Sequence, residues 1–207
     1  MDRGKVGEHP TNASRSSASR PVADALLAVI TEQNVLLAGH VERVAALAEM
    51  LAKALGQPDD EIQRICLAAR LHDIGKAAIP SLILNKLDPL GAADWAVLRQ
   101  IPVIGERIVL AALPLASTAP LIRWCHERID GHGYPDRLDG QDIPIGSRII
   151  AVCDAFDVMT SLYGTPIGTD AALEELELHA GTQFDAAVVE AFCRATSLHH
   201  RPTSSRI

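Results

Sequence analysis

Aromatic residues are scarce in this chain, with two Trp, two Tyr and three Phe among 207 residues. Leu, Ala, Val and Ile must then fill the core, which suits helix packing better than a sandwich of aromatic-rich strands. The alternating apolar and polar runs that mark strands are almost missing. An excess of basic charge is also missing: 19 Lys and Arg stand against 26 Asp and Glu, for a net charge of -7. A domain that coats nucleic acid carries a basic surface, so nucleic acid is not the expected partner. An anionic small molecule would need local help from a metal or from a few placed Arg and Lys. No uncharged apolar run is long enough to span a membrane. The first residues, Met1-Asp2-Arg3-Gly4-Lys5 and the polar stretch to Arg20, lack the apolar centre of a secretory signal, so a cytoplasmic location is expected. C-x-x-C pairs are absent. Cys66, Cys125, Cys153 and Cys193 sit inside apolar helical patterns, as buried free thiols in a reducing compartment would.

What is present is a hydrophobic share of 48% with 22% charged residues, the profile of one globular domain with a sizeable core. The expected organisation is a flexible N-terminal tail over 1–20, an all-α domain over 21–198, and a frayed tail over 199–207. A first helix fits 21–37, ending before Gly39. In the next segment His40, Val44, Leu47, Ala48, Leu51 and Leu55 line one helical face, and Gly56 and Pro58 stop it. Asp59 or Asp60 can cap a helix that carries His72 and Asp73 in its last turn, with Gly75 as its C-terminal stop. Further helices are expected over 92–100, 103–112, 120–128, 145–162, 169–179 and 185–197.

Four residues in this arrangement can do chemistry together. His40 points with the core residues of its helix. His72 and Asp73 are neighbours about 100° apart, so both reach one ion only if it sits off the helix end. Asp154 lies deep in an apolar helix, where a carboxylate is costly unless paired or metal-bound. Two imidazoles and two carboxylates suit Mn²⁺, Fe or Zn²⁺, with water in the open positions. Lys76, a turn beyond His72, could hold a phosphate. Asp157 shares a side of its helix with Asp154 and could orient a ligand, or could equally be a plain helix-surface or capping residue.

The order H…HD-x-GK…D resembles the HD superfamily of metal-dependent phosphohydrolases. Cys125-His126-Glu127-Arg128-Ile129-Asp130-Gly131-His132-Gly133-Tyr134-Pro135 resembles the HHE-x-x-DG-x-GYP stretch of its HD-GYP subfamily. Ile143-Pro144-Ile145-Gly146-Ser147-Arg148-Ile149 and Gly181-Thr182-Gln183-Phe184-Asp185 are similar to that subfamily too. The match runs from about residue 30 to residue 195. It implies an HD-type helical bundle with the metal site between core helices, hydrolysis of cyclic di-GMP (a bacterial second messenger), and a centre of two or three divalent ions. Carried onto this chain, it implies His40, His72, Asp73, Asp154 and His126 as metal ligands and Asp73 and Lys76 as catalytic. Lys76, Arg128 and Tyr134 would contact substrate.

Three positions depart from the subfamily. Its ligand His before Pro is Ile101 here, the first His of its HHE motif is Cys125, and its arginine-containing stretch reads Ser161-Leu162-Tyr163-Gly164-Thr165-Pro166. Leu36, one turn before His40, offers no donor for a third ion. One well-held divalent ion, Fe, Mn or another, is therefore expected, with the second weak or absent. Cys125 is expected to be packed and inert. Two alternatives stand beside the phosphodiesterase: a degenerate signalling module that binds a nucleotide, or a protein partner through the GYP loop, without turnover, and an HD phosphohydrolase acting on another nucleotide.

Overall fold

The computed structural model describes residues 12–32, 35–163 and 166–199. Among the described residues the chain is a bundle of helices with no strand, in keeping with the all-α expectation. The outer parts of the expected tails, 1–11 and 200–207, lie outside the described residues.

The first helix, α1 (Asn12–Thr31), begins inside the stretch expected to be tail and contains Pro21. Proline removes one helical hydrogen bond. Docking offsets that loss: Ala23 and Leu27 are buried, and Ser19 Oγ donates to the Pro114 carbonyl at 2.8 Å. The second helix, α2 (Val35–Ala54), runs through Gly39 instead of starting after it. Buried Leu37, Val41 and Val44 give it an apolar face already at that turn, and this outweighs the roughly 1 kcal/mol that glycine costs a helix interior.

Helix α2 is the axis of the bundle. It packs on α3 (Asp59–Leu71), α8 (Ile145–Thr160) and α10 (Ala186–His199), with Val44, Ala48 and Leu51 fully buried. It ends at Gly56, which takes a left-handed φ of 67° while Gln57 N–H returns to the Ala52 carbonyl. Short helices α4 (Ser81–Leu84), α5 (Ala92–Leu98), α6 (Ile101–Ala111) and α7 (Ala119–Arg123) follow, and α9 (Thr169–Leu178) lies between α8 and α10. Pro102 occupies the first turn of α6, where its missing N–H costs nothing. Among the described residues no helix is long and apolar enough to cross a membrane.

Two local outcomes differ from the sequence reading for reasons that bear on function. The helix expected over 120–128 ends at Arg123. There the chain folds back on itself: Arg123 and the Trp124 indole both bond Asp136, and Glu127 Oε1 accepts the backbone N–H groups of Asp136 and Arg137 at 2.7 and 3.0 Å. Gly75 is not a left-handed stop. The chain passes from α3 through His72 (φ −56°, ψ −31°) and Asp73 (φ −96°, ψ 4°) into a 3₁₀ turn, Ile74–Ala78. Gly75 is needed for closeness instead, because a Cβ there would lie 2.0 Å from the Ile101 carbonyl oxygen and 2.9 Å from Gly105 N. Gly75→Ala should therefore push the His72–Asp73 turn off α6. We expect a loss of about 1–3 kcal/mol or more, a fall in Tm of roughly 2–12 °C for a chain of this size. A melting curve that superimposes on the parent's would show that this approach is not held.

Candidate metal centre

The packing of α2, the end of α3 and α8 brings His40, His72, Asp73 and Asp154 to one place. His40 and His72 are fully buried and their rings meet edge to face at 5.3 Å. Each is fixed through its Nδ1. His40 Nδ1 lies 2.7 Å from Asp157 Oδ2, and His72 Nδ1 lies 2.7 Å from the Ala69 carbonyl oxygen. A carboxylate and a carbonyl can only accept, so both Nδ1 atoms carry the proton and both Nε2 lone pairs face inward in the neutral rings.

The inward nitrogens face carboxylate oxygens. His40 Nε2 is 3.2 Å from Asp154 Oδ1 and 3.8 Å from Asp73 Oδ2; His72 Nε2 is 3.6 Å and 3.5 Å from the same two atoms. Despite the short approach to Asp154, His40 Nε2 makes no hydrogen bond of good geometry and stands as a buried orphan nitrogen. Buried polar groups are normally partnered. Two lone pairs and two carboxylates converging in this way fit a divalent cation: the ligand atoms of His40, His72 and Asp73 lie within 4.8 Å of one another. Burial pulls the His72 imidazole down, but Asp73 and Asp154 together raise it to about 9, and a bound cation would displace the proton it then carries. Burial also pushes Asp73 up, yet Lys76 and His72 bring it down to about 2.

A second layer of contacts holds the donors. Asp157, on the same side of α8 as Asp154, accepts from His40 and from Arg43, whose Nε and Nη2 lie 2.6 and 3.0 Å away. Burial raises the Asp157 carboxyl, and these His40 and Arg43 bonds bring it below its ordinary value. Partners of this kind set the orientation of a metal-binding imidazole. Asp157→Asn, which removes the charge and leaves the size, should weaken divalent-metal affinity roughly 10- to 100-fold. Competition against a chelator measures this, and unchanged affinity would mean that the His40 ring needs no such anchor.

Lys76 closes one side, with Nζ 2.6 Å from Asp73 Oδ2 and 2.6 Å from the Tyr163 hydroxyl. The Tyr163 ring stacks on His40 at 4.0 Å and 11°. The sequence reading noted this stretch only for its missing arginines. Tyr163 lies beyond the end of α8, so helical periodicity carried no signal for it.

The remaining expected residues stand further out. His126 is outside the group of close ligand atoms, though it feels the charges of Asp154 and Asp73. Its ring stacks on Tyr134 at 5.2 Å, and Tyr134 in turn lies under the Arg99 guanidinium, 5.9 Å from its carbon. Arg128, expected to contact substrate, has its guanidinium bonded to Asp130 and Gln183, tying the Gly-rich loop to the segment before α10. Cys125 is buried, with Sγ donating to the Ile122 carbonyl at 3.2 Å, and burial and nearby Asp154 keep the thiol protonated. A thiol so held is a poor ligand. Ile101 is buried as well, at the start of α6.

Comparison with known proteins agrees with this architecture. The model of the HD domain family matches residues 24–188. The chain is 38% identical over 161 residues to the 3'3'-cGAMP-specific phosphodiesterase 2 of Vibrio cholerae, covering 73% of this chain and 30% of that protein. It is 38% identical over 161 residues to a cyclic di-GMP phosphodiesterase of Thermotoga maritima, covering 75% of this chain and 43% of that one. The chain thus spans less than half the length of these curated relatives. Among solved structures, the HDGYP protein Bd1817 from Bdellovibrio bacteriovorus superimposes with a TM-score of 0.67 at 21% identity, over 90% of this chain and 66% of that one.

Proposed function

The chain belongs to the HD domain family, and from that premise we propose that it is a metal-dependent phosphodiesterase of the HD-GYP type that hydrolyses cyclic di-GMP or a closely related cyclic dinucleotide. The observation that carries the reading is the pair of inward-facing Nε2 atoms, one of them an orphan, opposite Asp73 and Asp154. The names of the relatives, cyclic di-GMP and 3'3'-cGAMP phosphodiesterases, support the substrate class.

In this reading His40, His72, Asp73 and Asp154 hold one divalent ion, Fe, Mn or a similar metal, and a second ion is weak or absent. When bound, such an ion acidifies a coordinated water and polarises a phosphoryl group. The residues of the chain do the rest. Asp157 keeps the His40 ring in its Nδ1–H form. Lys76, already ion-paired with Asp73 in a partly buried position, offsets charge on the phosphate. Burial lowers the His126 imidazole despite the nearby Asp154 and Asp73 charges, which leaves it neutral and available to a weak second ion or to the phosphate. Tyr134 shapes the mouth of the site through its stack on His126. Water attacks one phosphorus in line and gives up a proton, the opposite P–O bond breaks, and the leaving sugar oxygen takes up a proton in its place, which opens the ring.

A second reading rests on the same structure. Ile101 and Cys125 stand where the subfamily has histidines and are both packed in the interior, which favours a module that keeps the fold and one ion but binds its nucleotide, or a protein partner, without turnover. Turnover of cyclic di-GMP in added Mn²⁺, followed by chromatography of the products, separates the two. A linear dinucleotide supports the enzyme; unchanged nucleotide with measurable binding supports the module.

A further inference from the structure

Tyr163 is placed with more constraint than a residue in a post-helical turn requires. Its backbone N–H donates to Ser161 Oγ at 3.2 Å, and Ser161 Oγ donates to Asp157 Oδ2 at 3.1 Å, so the carboxylate that orients His40 also anchors this turn. The ring lies flat on His40 and the hydroxyl reaches Lys76 at 2.6 Å.

The hydrogen-bond inventory of that hydroxyl is the informative part. Lys76 has only protons to give, so the phenol oxygen accepts from it. The phenol proton is left to donate, and the acceptor within reach is Asp73 Oδ2 at 3.4 Å, well beyond the 2.5–3.0 Å of a good O–H···O bond. A partly buried donor is therefore held beside an ammonium with its own bond stretched. An incoming anionic oxygen offering a shorter approach would take that proton.

We infer that Tyr163 is a further substrate-binding residue of this site: its hydroxyl, next to the Lys76 ammonium, donates to a non-bridging oxygen of the phosphodiester to be cleaved. The inference rests on the proposed phosphodiesterase reading and deepens it. It assigns a neutral, geometrically fixed donor to the stretch in which the resemblance leads one to expect arginine. The site then holds its phosphate through one ammonium and one phenol, with less reliance on net positive charge.

Tyr163→Phe tests this, because it keeps the ring that stacks on His40 and removes only the O–H. The measurements are metal content, binding of inorganic phosphate to the Mn²⁺-loaded protein by calorimetry, and KM for cyclic di-GMP. The expected result is unchanged metal content with phosphate affinity and KM both worsened about 10- to 100-fold, the range for a hydrogen bond to a charged group. Phosphate affinity and KM equal to the parent's would overturn the assignment and leave Tyr163 as a wall for His40. If the parent binds phosphate but turns over no cyclic dinucleotide, the phosphodiesterase reading fails, and the phosphate comparison alone decides whether Tyr163 contacts the anion. If the parent binds no phosphate, the inference is wrong.

Discussion

Asp73→Ala should remove bound metal and the proposed phosphodiesterase turnover together. Asp73 reaches four other residues of the site: Oδ2 lies 3.5 Å from His72 Nε2, 3.8 Å from His40 Nε2, 2.6 Å from Lys76 Nζ and 3.4 Å from the Tyr163 hydroxyl. Without it, two imidazole lone pairs face a single carboxylate, and Lys76 keeps its charge in a partly buried position with no counterion. We expect a loss of about 4 kcal/mol or more of transition-state stabilisation, roughly a thousand-fold in rate. The orphaned Lys76 should also lower stability, since removing one partner of a buried ion pair typically costs about 3–5 kcal/mol. Asp73→Asn separates the two effects: it keeps the volume and an acceptor for Lys76 but loses the charge that a cation needs. Helical circular dichroism close to the parent's, with metal absent from the Asn variant, is the expected pattern. A folded variant with full metal content would remove Asp73 from the site.

The second large effect is a gain. Ile101→His combined with Cys125→His should raise metal stoichiometry from about one ion per chain toward two, as expected of a site given two more imidazoles. The geometry makes both positions reasonable hosts. Ile101 opens α6, and its carbonyl lies against Gly75, two residues beyond Asp73. Cys125 is next to His126 and lies near enough to Asp154 and Asp73 for both to act on its thiol. Replacing the small thiol by a ring in a packed interior should cost about 1–3 kcal/mol in the metal-free protein. Because a ligand that binds only the folded state stabilises it, added Mn²⁺ should restore Tm more in the double variant than in the parent. Stoichiometry that stays at the parent value would show that Ile101 and Cys125 do not account for the proposed weakness of a second site.

The helical bundle was legible because its long elements announce themselves. Val44, Ala48 and Leu51 repeat at helical spacing and are all fully buried along α2. Boundaries were less legible wherever tertiary contacts outweigh local preference. Gly39 was read as a break and lies inside α2, and Gly75 was read as a helix stop although its small size serves the approach of α6. The helix over 120–128 was overextended because the bonds from Arg123 and Trp124 to Asp136 come from a loop whose path no periodicity encodes.

The same division runs through the site. His40, His72, Asp73 and Asp154 could be nominated from sequence because they sit on or at the ends of recognisable helices, and the structure brings all four together. Tyr163 could not, since a lone tyrosine in an irregular segment carries no pattern. Arg43 lies outside the apolar pattern of α2 and carried no signal, although it is bidentate on Asp157. Arg128 had the right charge for a phosphate contact, but Asp130, two residues on, and Gln183 hold its guanidinium. Long polar side chains choose partners through contacts distant in sequence, which is why their roles are the last to be read from it.

The proposed function requires that His40, His72, Asp73 and Asp154 hold a divalent metal. Elemental analysis of protein purified without chelator tests it most directly. About one ion of Fe, Mn or a similar divalent metal per chain, lost on chelation, is the expected result. Protein that carries no metal and takes up none when incubated with Mn²⁺, Fe²⁺ or Zn²⁺ would contradict it.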